Sequence, residues 1–196
     1  MFINDNSSIP FLEFKNRYNQ AIKANQSSVE AVCISSFNNT SSEVNSRYVN
    51  LKVIDNDKFI FFSNYNSPKS IEFSSHNQIA AVFFWESINS QIRIKAQIKK
   101  TSYEYNQRYF LNRSQEKNAL AISSNQSNSI SSYSQVRENY NKSLKNDDLK
   151  KCPEFWGGYS FTPYYFEFWE GHESRLNKRE VYEKSADSWK YIILQP

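Results

Sequence analysis

The chain has 196 residues, of which 39% are hydrophobic and 16% aromatic, and its net charge is +4. This length suits a single domain with its own core, and so modest a charge does not indicate a nucleic-acid-binding protein. No apolar stretch reaches the ~20 residues that a membrane-spanning helix needs. Residues 1–6 lead into no apolar run, so we expect an unexported, cytoplasmic protein without a membrane partner. Cys33 and Cys152 have no paired spacing, which fits a reducing compartment.

The first half of the chain is predicted to contain one helix followed by strands. Ser8 and Pro10 mark the start of the helix, with Ser8 as its cap, and apolar residues then recur at helical spacing. That apolar face comprises Phe11, Phe14, Tyr18 and Ile22. β-Branched and aromatic residues bounded by turns predict strands at 29–37, 47–54, 58–63, 79–85 and 91–98. Ser67-Pro68-Lys69 predicts the start of a short helix after the third strand.

The second half is predicted to contain two further helices, a polar segment and more strands. The helices span 102–111 and 115–122, the Ser/Asn-rich run 123–129 has the composition of a flexible linker, and the charged stretch 133–150 is helical or loose. Strands are predicted at 159–169, 180–184 and 189–194. Antiparallel-type strands with few helices indicate a mainly β protein with flanking helices, folded as a closed or nearly closed barrel.

Several kinds of chemistry lack the residues that they need. The chain has only three glycines, Gly157, Gly158 and Gly171, so neither a dinucleotide-binding Gly-rich turn nor a P-loop can be built. His76 and His172 lie far apart without clustered cysteines or carboxylates, so no metal site is expected. No G-x-S-x-G motif is present. If the chain is an enzyme, a bound cofactor is expected to perform the difficult step.

The stretch 168–179 is predicted to be a strand that runs into a basic loop. Phe168 and Trp169 suit a strand, Gly171 allows a backbone turn, and Arg175 and Arg179 follow four residues apart. Such a loop can hold an anion. Considered alone, it is also compatible with an ordinary solvated surface turn, and local composition favours that simpler interpretation.

The order Phe-Trp, Gly, Arg-Leu, Arg within 168–179, together with Phe155-Trp156-Gly157-Gly158, resembles the C-terminal signature of the pyridoxamine 5'-phosphate oxidases. The resemblance extends from about Pro10 to Pro196. It implies a split β-barrel that forms a homodimer, binds FMN at the subunit interface and oxidises pyridoxamine or pyridoxine 5'-phosphate to pyridoxal 5'-phosphate with O2. Residues 1–196 are then one domain: 10–120 form the barrel body and helices, 121–155 a loop and helical insert, and 156–196 the strands that complete the dimeric site.

The same resemblance implies a set of FMN contacts. These residues are Arg47, Lys52, Phe62, Ser63, Lys69, Gln91, Gln126, Ser127, Trp169 and Arg179. Strand periodicity places Arg47 and Lys52 on opposite faces unless the strand is interrupted. Pro68 stands where the family has an arginine, so weaker FMN retention is expected.

The substrate contacts that the resemblance implies are Lys52, Tyr109, Arg113, Lys117, Arg175 and Asn177, with Arg175 and Asn177 as the catalytic pair. Lys117 stands where the family has a serine, and Asn177 stands where it has a histidine. Asparagine forms hydrogen bonds but does not titrate near neutral pH. Two alternatives therefore stay open: a non-catalytic protein that binds FMN or pyridoxal phosphate, and a split-barrel flavin reductase with another substrate.

Overall fold

The computed structural model describes residues 6–196; the first five residues of the predicted domain lie outside this range. Its α-helices are α1 (Ile9–Lys23), α2 (Pro68–Ser75), α3 (Tyr103–Leu111), α4 (Gln115–Ser123) and α5 (Tyr133–Asn146). The strands are β1 (Ala31–Asn38), β2 (Glu43–Asn50), β3 (Val53–Asp55), β4 (Lys58–Asn64), β5 (Gln78–Trp85), β6 (Ser90–Lys100), β7 (Trp156–Glu170), β8 (Lys178–Ser185) and β9 (Ser188–Ile193). A 3-10 turn at Glu86–Ile88 joins β5 to β6. Within this part of the chain, no helix is both long and apolar enough to cross a bilayer.

The strands form one antiparallel sheet in the order β2-β1-β5-β6-β7-β4-β3, and β8 and β9 extend it from β7. One edge of β7 pairs with β6, while the other edge pairs first with β4, over 156–161, and then with β8, over 165–170. Pro163 lies between these two segments, where the register against β6 also shifts. A proline has no N–H to donate to a ladder, so it suits the point where the neighbouring strand changes. The prediction of a mainly β protein with flanking helices is confirmed.

The predicted strand 47–54 is wrong as a single element, because the chain changes partners within it. Residues up to Asn50 pair with β1, whereas Val53 to Asp55 pair with β4. At the break, Leu51 N–H donates to the Glu30 carbonyl and Lys52 N–H donates to the Ile60 carbonyl. The interruption frees Lys52 from the strict alternation of faces that one continuous strand would impose.

Helix α1 covers the apolar face of the sheet with its buried residues Phe11, Phe14 and Ala21. Ile22, predicted on the same face, is instead 48% exposed, because Ala21 takes the inward position and the next residue lies about 100° further round the helix. Ser8 occupies the cap position but its side chain donates to Asn6 Oδ1, so the predicted side-chain cap is wrong. The Ser8 carbonyl accepts the first hydrogen bonds of the helix instead.

The core under α1 is built from aromatic rings in contact with one another. Phe14 lies 5.1 Å from Phe59, 5.2 Å from Phe83 and 5.7 Å from Trp85, measured between ring centroids. The first two pairs are edge-to-face, an arrangement that adds to the stabilisation from buried area. These contacts fix α1 on the sheet.

Replacing Phe14 by alanine should therefore lower the free energy of unfolding by about 3–5 kcal/mol, because a fully buried ring and its contacts are lost. Urea unfolding at a fixed protein concentration measures the change. Leu12→Ala is the matched control on the same helix: Leu12 is 48% exposed, and its loss should cost less than about 1 kcal/mol. Equal losses in the two variants would contradict this account of the core.

Candidate functional site

A cleft of about 670 Å³ opens between β4, the chain around Lys52, and the end of α3. Among the described residues that line it, four are cations and none is Asp or Glu. The predicted site residues in its wall are Lys52, Phe62, Ser63, Lys69, Tyr109, Arg113, Lys117 and Gln126. Lys52 and Lys117 are exposed at the surface of the cleft, whereas Lys69 is buried and Arg113 half-buried. Uncompensated positive charge of this kind attracts anions.

Arg113 is held by an aromatic stack that forms one wall of the cleft. Its guanidinium lies 4.3 Å from the centre of the Trp156 ring, and Trp156 stacks on Phe62 at 5.2 Å. Phe62 stacks in turn on Tyr109 at 3.6 Å. Arg113 lies just beyond the end of α3, where its backbone N–H donates to the Phe110 carbonyl.

The guanidinium of Arg113 has an unsatisfied donor. Nη2 donates to the Lys117 carbonyl at 3.3 Å, but Nη1 is buried and has no hydrogen-bond partner. Burial lowers the pKa of Arg113, and the neighbouring Tyr109 opposes the change. A buried donor without a partner is costly, so an anionic oxygen at this position would restore a charge-assisted hydrogen bond.

Lys69 is the second cation that the fold removes from water, since the residue is 8% exposed. Its ammonium donates to Ser63 Oγ at 3.3 Å and to Ser67 Oγ at 3.2 Å. Burial, followed by the charge of Arg47, lowers the pKa of Lys69, while Glu72 acts in the opposite direction. Neutral hydroxyls hold the ammonium group but do not balance its charge.

The predicted linker 123–129 is anchored beside Lys69 by one of its own side chains. Gln126 Oε1 accepts hydrogen bonds from Ser63 Oγ and from the Asn64 N–H, both at 3.2 Å. Ser127 does not line the same cleft: it is exposed, has a positive φ of 73° and borders a separate hollow with residues of α5. Of the predicted pair, the structure therefore brings Gln126, and not Ser127, to the cleft.

Arg47 lies behind the cleft rather than in its lining. Its Nη2 contacts Glu72 Oε2 at 2.8 Å, and Nη1 donates to Ser36 Oγ. Glu72 is 3% exposed and also accepts from Asn45 Nδ2 at 2.9 Å. The charge of Arg47 is thus largely balanced inside the protein, although it is close enough to influence Lys69.

The remaining predicted residues form a second group on β6, β7, β8 and the loop after β7. Gln91 pairs with Trp169, and Trp169 pairs with Arg179, so the three residues form one row across the sheet. Arg179 Nε donates to Glu167 Oε1 at 2.8 Å, and Arg93 Nε donates to Gln91 Oε1. This row is separate from the cleft, whose lining includes none of the three among the described residues.

Arg175 and Asn177 lie on the loop between β7 and β8. Arg175 is exposed and adopts a positive φ of 60°, and Asn177 Oδ1 accepts from the His172 N–H at 3.1 Å. Gly171, which was predicted to allow a backbone turn here, does not have a positive φ; a Cβ on Gly171 would lie 2.3 Å from the Asn89 side chain. The glycine permits close packing, and Arg175 adopts the left-handed conformation of the turn.

The two groups of site residues lie at opposite ends of β7. Trp156 lines the cleft, in the part of β7 that pairs with β4. Trp169 lies in the row with Gln91 and Arg179, in the part of β7 that pairs with β8. Thirteen positions separate the two tryptophans along the strand, which corresponds to a contour length of up to ~43 Å at strand geometry.

The chain is similar to known proteins in both sequence and fold. Residues 156–196 match the family described as "Pyridoxine 5'-phosphate oxidase C-terminal dimerisation region". The pyridoxine/pyridoxamine 5'-phosphate oxidase of Coxiella burnetii is 34% identical over 197 residues, covering 100% of both chains. The chain belongs to the pyridoxine/pyridoxamine 5'-phosphate oxidase family. The matched dimerisation region supports a homodimer, and the names of the relatives place the chain among oxidoreductases.

Solved structures show that the fold is the split barrel of this oxidase family. PhzG from Burkholderia lata, solved with tetrahydrophenazine-1-carboxylic acid, superposes with a TM-score of 0.91 at 24% identity, over 98% of this chain and 95% of that one. A pyridoxamine 5'-phosphate oxidase-related, FMN-binding protein from Nostoc punctiforme gives a TM-score of 0.80 at 9% identity, over 97% and 100%. The expectation of a split barrel is confirmed.

Some residues that build the site were absent from the predicted set. Trp156 supports Arg113, and its Phe-Trp-Gly-Gly context was the only sequence signal for it. Asn106 on α3 is 2% exposed and joins that helix to β7, because its Oδ1 accepts from the Gly158 N–H at 2.8 Å. A single buried asparagine in a polar helix carries no distinctive pattern, so only the fold reveals its role.

Gly157→Ala should disturb this junction. The new Cβ would lie 2.2 Å from both Asn106 Nδ2 and Tyr65 Oη, and these groups are held in a packed interior. We expect a loss of about 1–3 kcal/mol in unfolding free energy, measured by urea denaturation. Gly171→Ala is the control, since the Asn89 side chain that it meets is exposed and can move. An equal or smaller effect at Gly157 would show that the Asn106 junction is not rigid.

Proposed function

We propose that this protein is an FMN-dependent oxidase that converts pyridoxamine 5'-phosphate or pyridoxine 5'-phosphate into pyridoxal 5'-phosphate with O2 as acceptor. The observation that carries the proposal is the cleft lined by four cations and no carboxylate among its described residues, with the unpartnered Nη1 of Arg113. Cofactor and substrate of this reaction both carry phosphate groups, which such a cleft favours. The named activity of the Coxiella burnetii relative supports the same assignment.

The residues of the cleft fit FMN at its buried end. Lys69 has hydroxyl partners but no carboxylate within hydrogen-bonding distance among the described contacts, and Ser63 and Gln126 adjoin it. We assign these three residues to the FMN phosphate, with Arg47 contributing charge from behind and Phe62 an apolar contact. When bound, FMN supplies the two-electron acceptor of the reaction.

The outer part of the cleft fits the substrate phosphate. Lys52, Lys117 and Arg113 provide charge, and Tyr109 provides a hydroxyl on the Phe62 stack. Arg113 can present a fixed, planar donor pair because Trp156 supports its guanidinium, whereas the two exposed lysines act as adjustable point charges. Binding the phosphate in this way orients the vitamin ring without placing a protein charge on the reacting carbon.

We assign completion of the site to a second copy of the chain. Gln91, Trp169, Ser127 and Arg179 would contact FMN across the interface, and Arg175 and Asn177 would contact the vitamin ring. All of them except Ser127, which borders the hollow beside α5, lie at the far end of β7 from the cleft, and this location favours the arrangement, as does the match of 156–196 to a dimerisation region. Asn177 can orient the substrate by hydrogen bonds but cannot hold or deliver a proton near neutral pH, so its role is positional.

A second candidate, binding without efficient oxidation, is favoured by particular residues of this chain. Pro68 is an exposed residue at the start of α2 and adds no cation beside Lys69. Asn177 already accepts a hydrogen bond from the backbone of its own loop. A flavin reductase with a different substrate is the third possibility, since PhzG shows that this fold accommodates a tetrahydrophenazine carboxylic acid.

Anaerobic reduction tests the proposed function. We expect the protein to bind FMN, to lose its yellow colour as added pyridoxine 5'-phosphate is oxidised to pyridoxal 5'-phosphate without O2, and to regain the colour when O2 is admitted and reoxidises the flavin. Failure to bind FMN would overturn every flavin assignment. Bound FMN that stays yellow supports the non-catalytic alternative, and bleaching by another reductant alone supports the flavin reductase.

Two substitutions should separate cofactor binding from substrate binding. Lys69→Met should raise the Kd for FMN about tenfold, which corresponds to about 1.4 kcal/mol. Arg113→Met should raise the KM for pyridoxine 5'-phosphate about tenfold at saturating FMN, with little change in the Kd for FMN. Fluorescence titration and steady-state assays provide the two values.

Lys58→Met is the control for these variants, because Lys58 is an exposed lysine of the same strand that bears Phe62 and Ser63. It should change neither constant by more than about twofold. If Lys69→Met and Arg113→Met raised both constants equally, the division of the cleft into two phosphate positions would be wrong.

A further inference from the structure

Glu167 is a buried carboxylate on the face of the sheet that carries Gln91, Trp169 and Arg179. The residue is 3% exposed, although strand alternation places it on the side away from the aromatic core that includes Phe166 and Phe168. A charge in this position needs partners, because removing a lone carboxylate from water is strongly unfavourable. The neighbouring strands provide them.

Three side chains enclose the carboxylate. Arg179 Nε donates to Oε1 at 2.8 Å, Arg93 Nη1 lies 3.4 Å from the same oxygen, and Tyr165 Oη donates to Oε2 at 3.0 Å. Burial raises the pKa of Glu167, but the hydrogen bonds from Arg179 and Tyr165 and the charge of Arg93 outweigh burial and leave the pKa below its usual value. The group is therefore ionised at neutral pH.

The same carboxylate reaches two of the residues assigned to FMN. Arg179 is bound directly, and Gln91 is bound through Arg93, whose Nε donates to Gln91 Oε1. The side chains of Arg179 and Arg93 are 24% and 45% exposed, so without Glu167 each would lose a buried anchor and gain freedom to move toward solvent. Arg179 has one further described anchor, the Gln195 carbonyl at 3.0 Å.

We propose that Glu167 is a positioning residue for the cofactor, acting through Arg179 and, by way of Arg93, through Gln91. This inference rests on the proposed FMN function but concerns a residue outside the assigned contacts. The reason is orientation: a long arginine side chain loses much conformational freedom when it binds a ligand, and a fixed carboxylate removes that freedom beforehand. Glu167 itself touches neither FMN nor substrate.

A double-mutant cycle with FMN as the probe tests the inference. Glu167→Leu, which keeps the volume but removes the acceptor, should raise the Kd for FMN about tenfold. Glu167→Gln, which keeps an acceptor for Arg179, should recover most of the affinity. In an Arg179→Gln background, Glu167→Leu should raise the Kd by less than about threefold, because the direct route through Arg179 has been removed and only the route through Arg93 and Gln91 remains. Full additivity of the two substitutions would overturn the proposal.

A ligand-free measurement keeps this test separate from the proposed function. In the wild type, the Nε–H of Arg179 should give an NMR resonance protected from solvent exchange; the resonance should persist in Glu167→Gln and disappear in Glu167→Leu. Persistence in Glu167→Leu would overturn the positioning role. A wild type that shows the resonance but binds no FMN would refute the proposed function alone. Glu183→Gln, an exposed glutamate on β8 opposite Tyr165, is the matched control and should behave as the wild type.

Discussion

The pairing of β7 is the constraint on which the rest of the structure depends. Residues 159–170 of this 15-residue strand pair with β6 along one edge, and the other edge pairs with β4 and then with β8. Because β4 and β8 use separate parts of the same edge, the sheet divides near Pro163, and each part carries one group of site residues. The strand thus stabilises the barrel and also separates the cationic cleft from the Gln91–Trp169–Arg179 row.

The cations of this protein fall into two electrostatic classes. Arg47 contacts the buried carboxylate of Glu72, and Arg179 contacts the buried carboxylate of Glu167. In each pair the carboxylate fixes the guanidinium and balances its charge. Lys69 and Arg113 are removed from water with hydroxyl, carbonyl and aromatic partners instead. Uncompensated charge in the cleft favours an anionic ligand, while the compensated arginines are held in defined orientations at some distance from it.

The three positions at which the resemblance implies a departure from the family pattern have structural roles of their own. Pro68 starts α2 and leaves Lys69 as the buried cation of that turn. Lys117 adds exposed charge to the cleft, next to the carbonyl that accepts from Arg113. Asn177 accepts from the His172 backbone and so helps to shape the loop that presents Arg175.

By itself, the sequence determined the mainly β class, the position of most strands and, through separated motifs, the family. Alternation and turn residues are local signals, which is why the strand 91–98 and the helix after Pro10 could be predicted. Only the tertiary structure decided that the strand 47–54 breaks at Lys52, that Gln126 but not Ser127 faces the cleft, and that Glu167 is a buried partner of Arg179. Each of these depends on which distant part of the chain forms hydrogen bonds with a backbone segment or pairs with a charged side chain. No local sequence pattern encodes that choice.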